Sequence, residues 1–230
     1  MIQSRIMSTK RSYADGCAAA HALDLIGERW ALLIVRELML GPKRFTDLRA
    51  GLGRISANVL TQRLAELEAA GIVVRRRLPP PGGGMAYDLS PWGRELEPIL
   101  LQLVRWGVRS PGFARGAPLN VDAMVLSMRA LFSPDAASGR DARILLVLDG
   151  QPFSARVASG RLDVHRQGPA EPAAEATLET SPTTLLHLAY GAADPDDAVE
   201  AGLARISGRR AALDRFLGCF RVPEPADTDR

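Results

Sequence analysis

Residues 51–71 read GLGRISANVLTQRLAELEAAG, and this stretch decides the fold. Ser56 stands before Leu60, Leu64 and Leu67, an apolar stripe at helical spacing, and Gly71 follows as a stop. The glycine turn Gly51-Leu52-Gly53 separates this helix from a short one expected over residues 47–52, with Thr46 as its candidate cap. With Leu60 set inward and about 100° per residue, Asn58, Gln62, Ala65 and Ala69 point outward, with Thr61 at their edge. No acid occurs on the helix before Glu66. Gln and Asn amides can bond adenine N6 and N7 together, and a Thr methyl can touch a thymine methyl. Two helices across a tight turn, the second anchored by leucines and clean on its outer side, read as a helix-turn-helix offered to a major groove.

Outward from this core, the N-terminal side predicts an Ala-rich buried helix over residues 17–26. A second helix is expected over residues 29–40, packed through Trp30, Leu33, Ile34 and Leu38 and stopped by Gly41-Pro42. On the C-terminal side, residues 72–78 and 85–89 make a β-hairpin, and Ser90-Pro91 opens a last helix through Leu96, Leu100, Leu103 and Trp106, kinked at Pro98. The hairpin supplies the wing of a winged helix-turn-helix.

Charge supports the same reading. Residues 1–110 carry 16 Lys and Arg against 10 Asp and Glu, a net of +6, whereas residues 111–230 carry 13 against 16, a net of −3. A basic half joined to an acidic half predicts that the first half alone meets a polyanion. Lys43, Arg44 and Thr46 before the short helix, Ser56 at the cap, and Arg75 and Arg77 on one face of the wing strand are the candidate phosphate contacts. Arg63 has three options: a phosphate, Glu66 on its own helix, or Glu28. Arg5, Lys10 and Arg11 form a basic arm within residues 1–12.

These segments resemble the HxlR family of bacterial transcription regulators. The resemblance rests on Asp15-Gly16-Cys17, Leu23-Asp24-Leu25-Ile26-Gly27-Glu28-Arg29-Trp30, Arg44-Phe45-Thr46-Asp47-Leu48, Ile55-Ser56, Val59-Leu60-Thr61-Gln62-Arg63-Leu64 and Leu67-Glu68, and covers about residues 13–107. It implies a homodimer joined through the first and last helices of the module, each protomer placing one recognition helix on double-stranded DNA. The chain departs from the family at Ala57, where a proline is common after the capping serine, and at Gly82-Gly83-Gly84-Met85, where the wing usually ends in a basic residue. Cys17 stands where some relatives carry a redox-active thiol; on an Ala-rich helix it is expected to be a small buried hydrophobe instead.

A Pro- and Gly-rich linker over residues 110–119 divides the module, residues 13–109, from a second domain over residues 120–222, with a frayed tail over residues 223–230. The second domain alternates apolar strands (143–148, 153–158, 162–165, 176–179 and 203–206) with helices (121–132, 182–190 and 209–220), so the whole chain is α+β, with the winged helix first and a smaller domain after it. Thr180-Ser181-Pro182, Asp197-Ala198-Val199, Ile206-Ser207-Gly208 and Leu213 with Phe216 resemble the sterol carrier protein type 2 fold. That resemblance implies an apolar cavity for a lipid-like ligand, with Leu185, Leu188, Leu213, Phe216, Leu217 and Phe220 as candidate walls.

Enzyme chemistry is not expected. The three histidines, His21, His165 and His187, lie far apart, Cys17 and Cys219 form no Cys-x-x-Cys, and no nucleophile elbow or Walker loop occurs, so no metal or cofactor is expected. No apolar run approaches the roughly 20 residues of a membrane helix, and no h-region follows the polar start, which predicts a cytoplasmic protein. The sequence-level expectation is a dimeric DNA-binding regulator tuned by an apolar ligand. The rivals are a lipid carrier using its winged helix for protein contacts, and a thiol sensor acting through Cys17.

Overall fold

A computed structural model describes residues 12–79, 83–114 and 116–227. The basic arm with Arg5, Lys10 and Arg11, the wing tip through Gly82, and residues 228–230 lie outside the described residues. The chain divides into two compact units, Met1–Leu96 and Glu97–Arg230.

The first unit runs α1 (Ala18–Ile26), α2 (Ala31–Leu38), α3 (Phe45–Leu52), α4 (Ala57–Ala69), β1 (Val73–Arg77), β2 (Met85–Leu89) and α5 (Pro91–Arg94). Its core joins Ile34, Val35 and Leu38 of α2, Leu48 of α3 and Leu60, Leu64 and Leu67 of α4, all fully buried or nearly so. At about 1.5–3 kcal/mol per fully buried large apolar side chain, these seven fix the helix-turn-helix angle. Helix α2 packs through Ala31, Ile34, Val35 and Leu38, so the expected stripe is rotated; Leu33 is exposed, and Trp30 is the N-cap at φ +81° rather than a helical residue. Between α3 and α4, Gly53 turns at φ +62°, where a side chain would be strained. At Gly93 a Cβ would lie 2.2 Å from the Ile72 carbonyl oxygen, so only glycine lets α5 close on the start of the hairpin.

Strands β1 and β2 pair antiparallel, and Lys43 adds a bridge to Tyr87, its N–H donating to the Tyr87 carbonyl at 2.9 Å and the Tyr87 N–H returning at 2.8 Å. The wing is thereby tied to the residue before α3.

Helix α1 corrects the expected buried helix: it has no buried residue, and Leu23 is 51% exposed. Apolar composition marks this helix for burial, but among the described residues of its unit the cover is partial, over Ala20, Asp24, Leu25 and Ile26.

The second unit begins with α6 (Glu97–Gly107) and continues through α7 (Val121–Leu131), β3 (Ala142–Leu148), β4 (Gln151–Ala158), β5 (Arg161–Arg166), β6 (Ala176–Thr180), α8 (Pro182–Ala189), α9 (Pro195–Glu200), β7 (Ala204–Gly208) and α10 (Arg210–Leu217). The five strands are ordered β5-β4-β3-β6-β7, with β3 and β6 parallel and every other pair antiparallel. Alternate residues of β3 (Ala142, Ile144, Leu146 and Leu148) are buried, and α10 packs against β3 and β6, closing a core that includes Phe153, Phe216 and Phe220. Phe216 and Phe220 meet edge to face, with ring centroids 5.2 Å apart. By these compact units the second body is the larger, against the sequence expectation.

Pro98 does not kink one long helix. The chain breaks at Glu95-Leu96 instead, and Pro98 falls in the first turn of a new helix, α6, where its missing N–H costs nothing. The tail is not frayed at its start: the Arg109 Nε donates to the Glu224 carbonyl at 2.9 Å and the Ala226 N–H donates to the Arg109 carbonyl at 2.8 Å. Among the described residues, no helix is long and apolar enough to cross a membrane.

Candidate nucleic-acid interface and ligand cavity

Helix α4 is capped as expected. The Ser56 Oγ accepts from the Val59 N–H at 3.3 Å, which aims the first turn and leaves the hydroxyl engaged. Asn58, Thr61, Gln62, Ala65 and Ala69 are all exposed, opposite the buried leucines. The Gln62 Nε2 donates to the Glu66 Oε1 at 3.0 Å, so the amide is held by a bond that a stronger partner can replace. The ridge is therefore acid-poor over its first two turns.

The candidate backbone contacts fare unequally. Lys43 is only 13% exposed and its Nζ donates to the Glu37 Oε2 at 2.7 Å. Glu37, fully buried on α2, also receives the Arg36 Nη2 at 2.7 Å. Lys43 thus serves the interior of the unit. Arg63 is likewise drawn inward, 13% exposed, bonded to Glu66 and 3.6 Å from Glu28, the two acids among its three options. Arg44 and Thr46 are exposed; the Arg44 Nη2 donates to the Gly83 carbonyl at 2.9 Å, linking the start of α3 to the wing turn. Helix α3 starts two residues earlier than expected, with Arg44 as its N-cap and its N–H bonded to the Asp47 Oδ2 at 3.3 Å.

On the wing, Arg75 and Arg77 share one strand face. Arg75 lies over the Tyr87 ring at 5.5 Å and bonds Glu68 at 3.2 Å, whereas Arg77 is exposed and forms no ion pair among the described residues. Arg76, on the other face, pairs with Asp88 at 2.7 Å, a carboxylate that Arg94 also holds at 2.6 Å. Sequence reading missed Arg49 and Arg54, both exposed and without an ion pair among the described residues; Arg54 stands two residues before the α4 cap. Their position on either side of the glycine turn was the available signal.

Cys17 is exposed and is the N-cap of α1, so the expectation of a buried hydrophobe fails. Hydrogen bonds from the Ala20 and Ala19 backbone N–H groups hold its thiol below the usual range. No basic residue adjoins Cys17 in the sequence, and the depressing groups are backbone amides, which no side-chain pattern reveals. Cys219 is buried, and burial pushes its thiol up.

In the second unit, Leu185, Leu213 and Phe216 are close-packed core, while Leu188, Leu217 and Phe220 border a shallow cleft beside α8 and α10. A more apolar cavity of ≈ 590 Å³ lies elsewhere, among α6, the segment before α7, α7 itself, the end of α8 and the tail. Three polar side chains face it, Ser127, His187 and Tyr190. Among the described residues no three His, Cys, Asp or Glu side chains are grouped to hold a metal ion.

Helix α6 has a second apolar edge. Leu100 is buried, but Ile99 and Leu103 are exposed and Trp106 is 75% exposed, so a continuous apolar strip runs along the helix.

Comparison with known proteins separates the two parts of the chain. Residues 25–111 match the family model HxlR-like helix-turn-helix, and residues 119–226 match the model alkyl sulfatase C-terminal. The chain is 39% identical over 85 residues to the HTH-type transcriptional regulator YvaP of Bacillus subtilis, covering 37% of this chain and 79% of the relative. It is 40% identical over 96 residues to YybR of the same organism, covering 40% of this chain and 74% of that protein. A solved structure described as the redox regulator HypR in its oxidized form shares 36% identity, covers 42% of this chain and all of its own, and superposes with a TM-score of 0.39. The leucine-anchored α4, the glycine turn and the wing fall inside the matched span, and on that span the chain belongs to the HxlR-like helix-turn-helix family of transcriptional regulators.

Proposed function

We propose that this protein is a dimeric, sequence-specific DNA-binding regulator whose DNA affinity responds to an apolar ligand in a sterol-carrier-like second domain, and that it is not an enzyme. The observation that carries the DNA reading is the exposed ridge of α4, where Asn58, Thr61 and Gln62 precede the first acid of the helix, Glu66, which Gln62 bonds. These three are the base-reading residues. Arg44, Thr46 and Arg77 hold phosphates, joined by Arg49 and Arg54, while Lys43 and Arg63 are withdrawn from that role by their acids.

Dimerisation is supported by two bare apolar helices, α1 without a buried residue and α6 with Ile99, Leu103 and Trp106 outward. A second copy of the chain is the occupant that leaves no such face in water. Two-fold symmetry then sets the recognition helices about 34 Å apart on successive major grooves, over a pseudo-palindromic site. Ligand control follows from linkage: a molecule that binds one arrangement of the protein better than another shifts DNA affinity by that difference.

Fluorescence anisotropy with labelled duplexes, random and selected from a random pool, at two salt concentrations tests the reading. Tight salt-dependent binding with a marked preference for selected duplexes is expected; equal, weak binding to all duplexes refutes it.

A second reading is favoured by one observation, the exposed Cys17 with its lowered thiol pKa. In that reading the Cys17 thiolate is the sensor, and reaction with an electrophile at the N-terminus of α1 changes dimer geometry. Iodoacetamide treatment, in which the thiolate displaces iodide to form a thioether, followed by the anisotropy assay, separates the two. Unchanged DNA binding after complete modification of Cys17 removes the thiol reading.

A further inference from the structure

The cavity of ≈ 590 Å³ in the second unit has a composition that specifies its occupant. Its apolar walls come from four directions: Val104 of α6 with Val108 in the turn after it, Leu131 at the end of α7, Leu186 of α8, and Val222 of the tail. Among the described residues no Lys, Arg, Asp or Glu lines it. An ionised ligand would lose its hydration without gaining a counter-charge, which costs several kcal/mol or more. The volume lies within the roughly 300–1,000 Å³ over which pockets bury small organic ligands.

One end of the cavity is polar. The Ser127 Oγ and Tyr190 hydroxyl are 2.6 Å apart, with either able to donate, so the pair keeps both a donor and an acceptor position for a third group. Burial pushes the Tyr190 phenol up to about 12, against the opposing pull of Ser127, so the hydroxyl stays neutral at working pH. His187, in the last turn of α8, adds an imidazole to the same lining.

We propose that this cavity is the binding site for a neutral, largely apolar molecule carrying a single hydroxyl or carbonyl group, its body against Val104, Val108, Leu131 and Leu186 and its polar end on the Tyr190–Ser127 pair. The inference deepens the ligand part of the proposed function and rests on it. It moves the site away from Leu185, Leu213 and Phe216, which are fully buried core and do not line this cavity. It also gives the ligand a means of being sensed, because Val104 sits on α6 and Val108 in the turn that follows, and the adjacent strip Ile99-Leu103-Trp106 of that helix is the proposed dimer face. An occupant that stiffens α6 acts on that face through the helix itself, with no intermediate element.

The test uses the full chain and two neutral probes, prodan, which carries a ketone, and 2-naphthol, which carries a hydroxyl, followed by fluorescence titration. Saturable binding of at least one probe at one site per protomer is expected. Tyr190→Phe should weaken it roughly 2- to 12-fold, the worth of one neutral hydrogen bond. Leu186→Trp, which fills the cavity, should abolish it while far-UV circular dichroism stays unchanged. No saturable binding of either probe, or full-strength binding to both Tyr190→Phe and a folded Leu186→Trp, overturns the inference. Should Leu186→Trp fail to fold, Tyr190→Phe alone decides, since removing one oxygen leaves the packing intact. The titration needs no DNA, so probe binding without DNA binding defeats the regulator reading and leaves the cavity standing, and the reverse result defeats the cavity alone.

Discussion

Gln62→Ala offers the sharpest trial of the recognition surface. Its side chain is exposed in the second turn of α4, bonded only to Glu66 at 3.0 Å among the described contacts. A bidentate amide contact to adenine is worth about 1–3 kcal/mol of discrimination. Releasing Gln62 from Glu66 costs about 0.2–0.5 kcal/mol, the value of an i,i+4 pair on a helix surface. The net expectation is about 0.5–2.8 kcal/mol per half-site, roughly 2- to 110-fold in affinity. Alanine is the better helix former, so folding is not at risk. Anisotropy titration against the preferred duplex and its single-base variants reads the effect. The loss should fall on one position in each half-site, and at that position the variant protein should bind all four bases almost equally. A loss spread evenly over every duplex would assign Gln62 to the backbone, and no loss would take it off the interface; either result refutes the orientation of α4.

Three further outcomes follow from the side-chain partners. Arg77→Ala should weaken binding to all duplexes alike and make the slope of log affinity against log salt shallower by about one, whereas Lys43→Met should leave that slope unchanged because Glu37 already holds the ammonium. Mass spectrometry of iodoacetamide reaction against pH should place the Cys17 midpoint below the ordinary thiol value of 9.0, because stabilising the thiolate moves its formation to lower pH; Cys219 should react only after unfolding. Equal rates at the two cysteines would contradict both environments. Leu103→Asp places a charge in the bare strip of α6 and should convert a dimer to a monomer in sedimentation analysis, with the circular dichroism spectrum retained; an unshifted sedimentation coefficient would exclude this strip from the interface.

The parts of the fold that were legible in the sequence are those whose burial is local. Leu60, Leu64 and Leu67 announce the inward side of α4, Ser56 announces its start, and Gly53 announces the turn, because each signal lies within a few residues of its consequence. What escaped needed a distant partner. Lys43 reads as a free cation until α2 is found to bury Glu37 beside it. Helix α1 reads as core because hydrophobicity states that a face will be covered and not whether the cover belongs to the same chain. The cavity escaped for a related reason: Leu185, Leu213 and Phe216 were named for being apolar, but free volume arises where packing fails, beside Ser127, His187 and Tyr190, and sequence encodes no volumes.

Helix α6 belongs by sequence to one half of the chain and by packing to the other: the family match runs to residue 111, yet the compact unit begins at Glu97. Anyone dividing this protein for separate study would be drawn to the prolines and glycines of residues 110–119. A fragment started there would lack Val104 and Val108 and open its cavity to water; one stopped there would carry α6 with the flank of Leu100 stripped. The serviceable scissor mark is the Leu96-Glu97 bond, thirteen residues or more upstream of the apparent hinge.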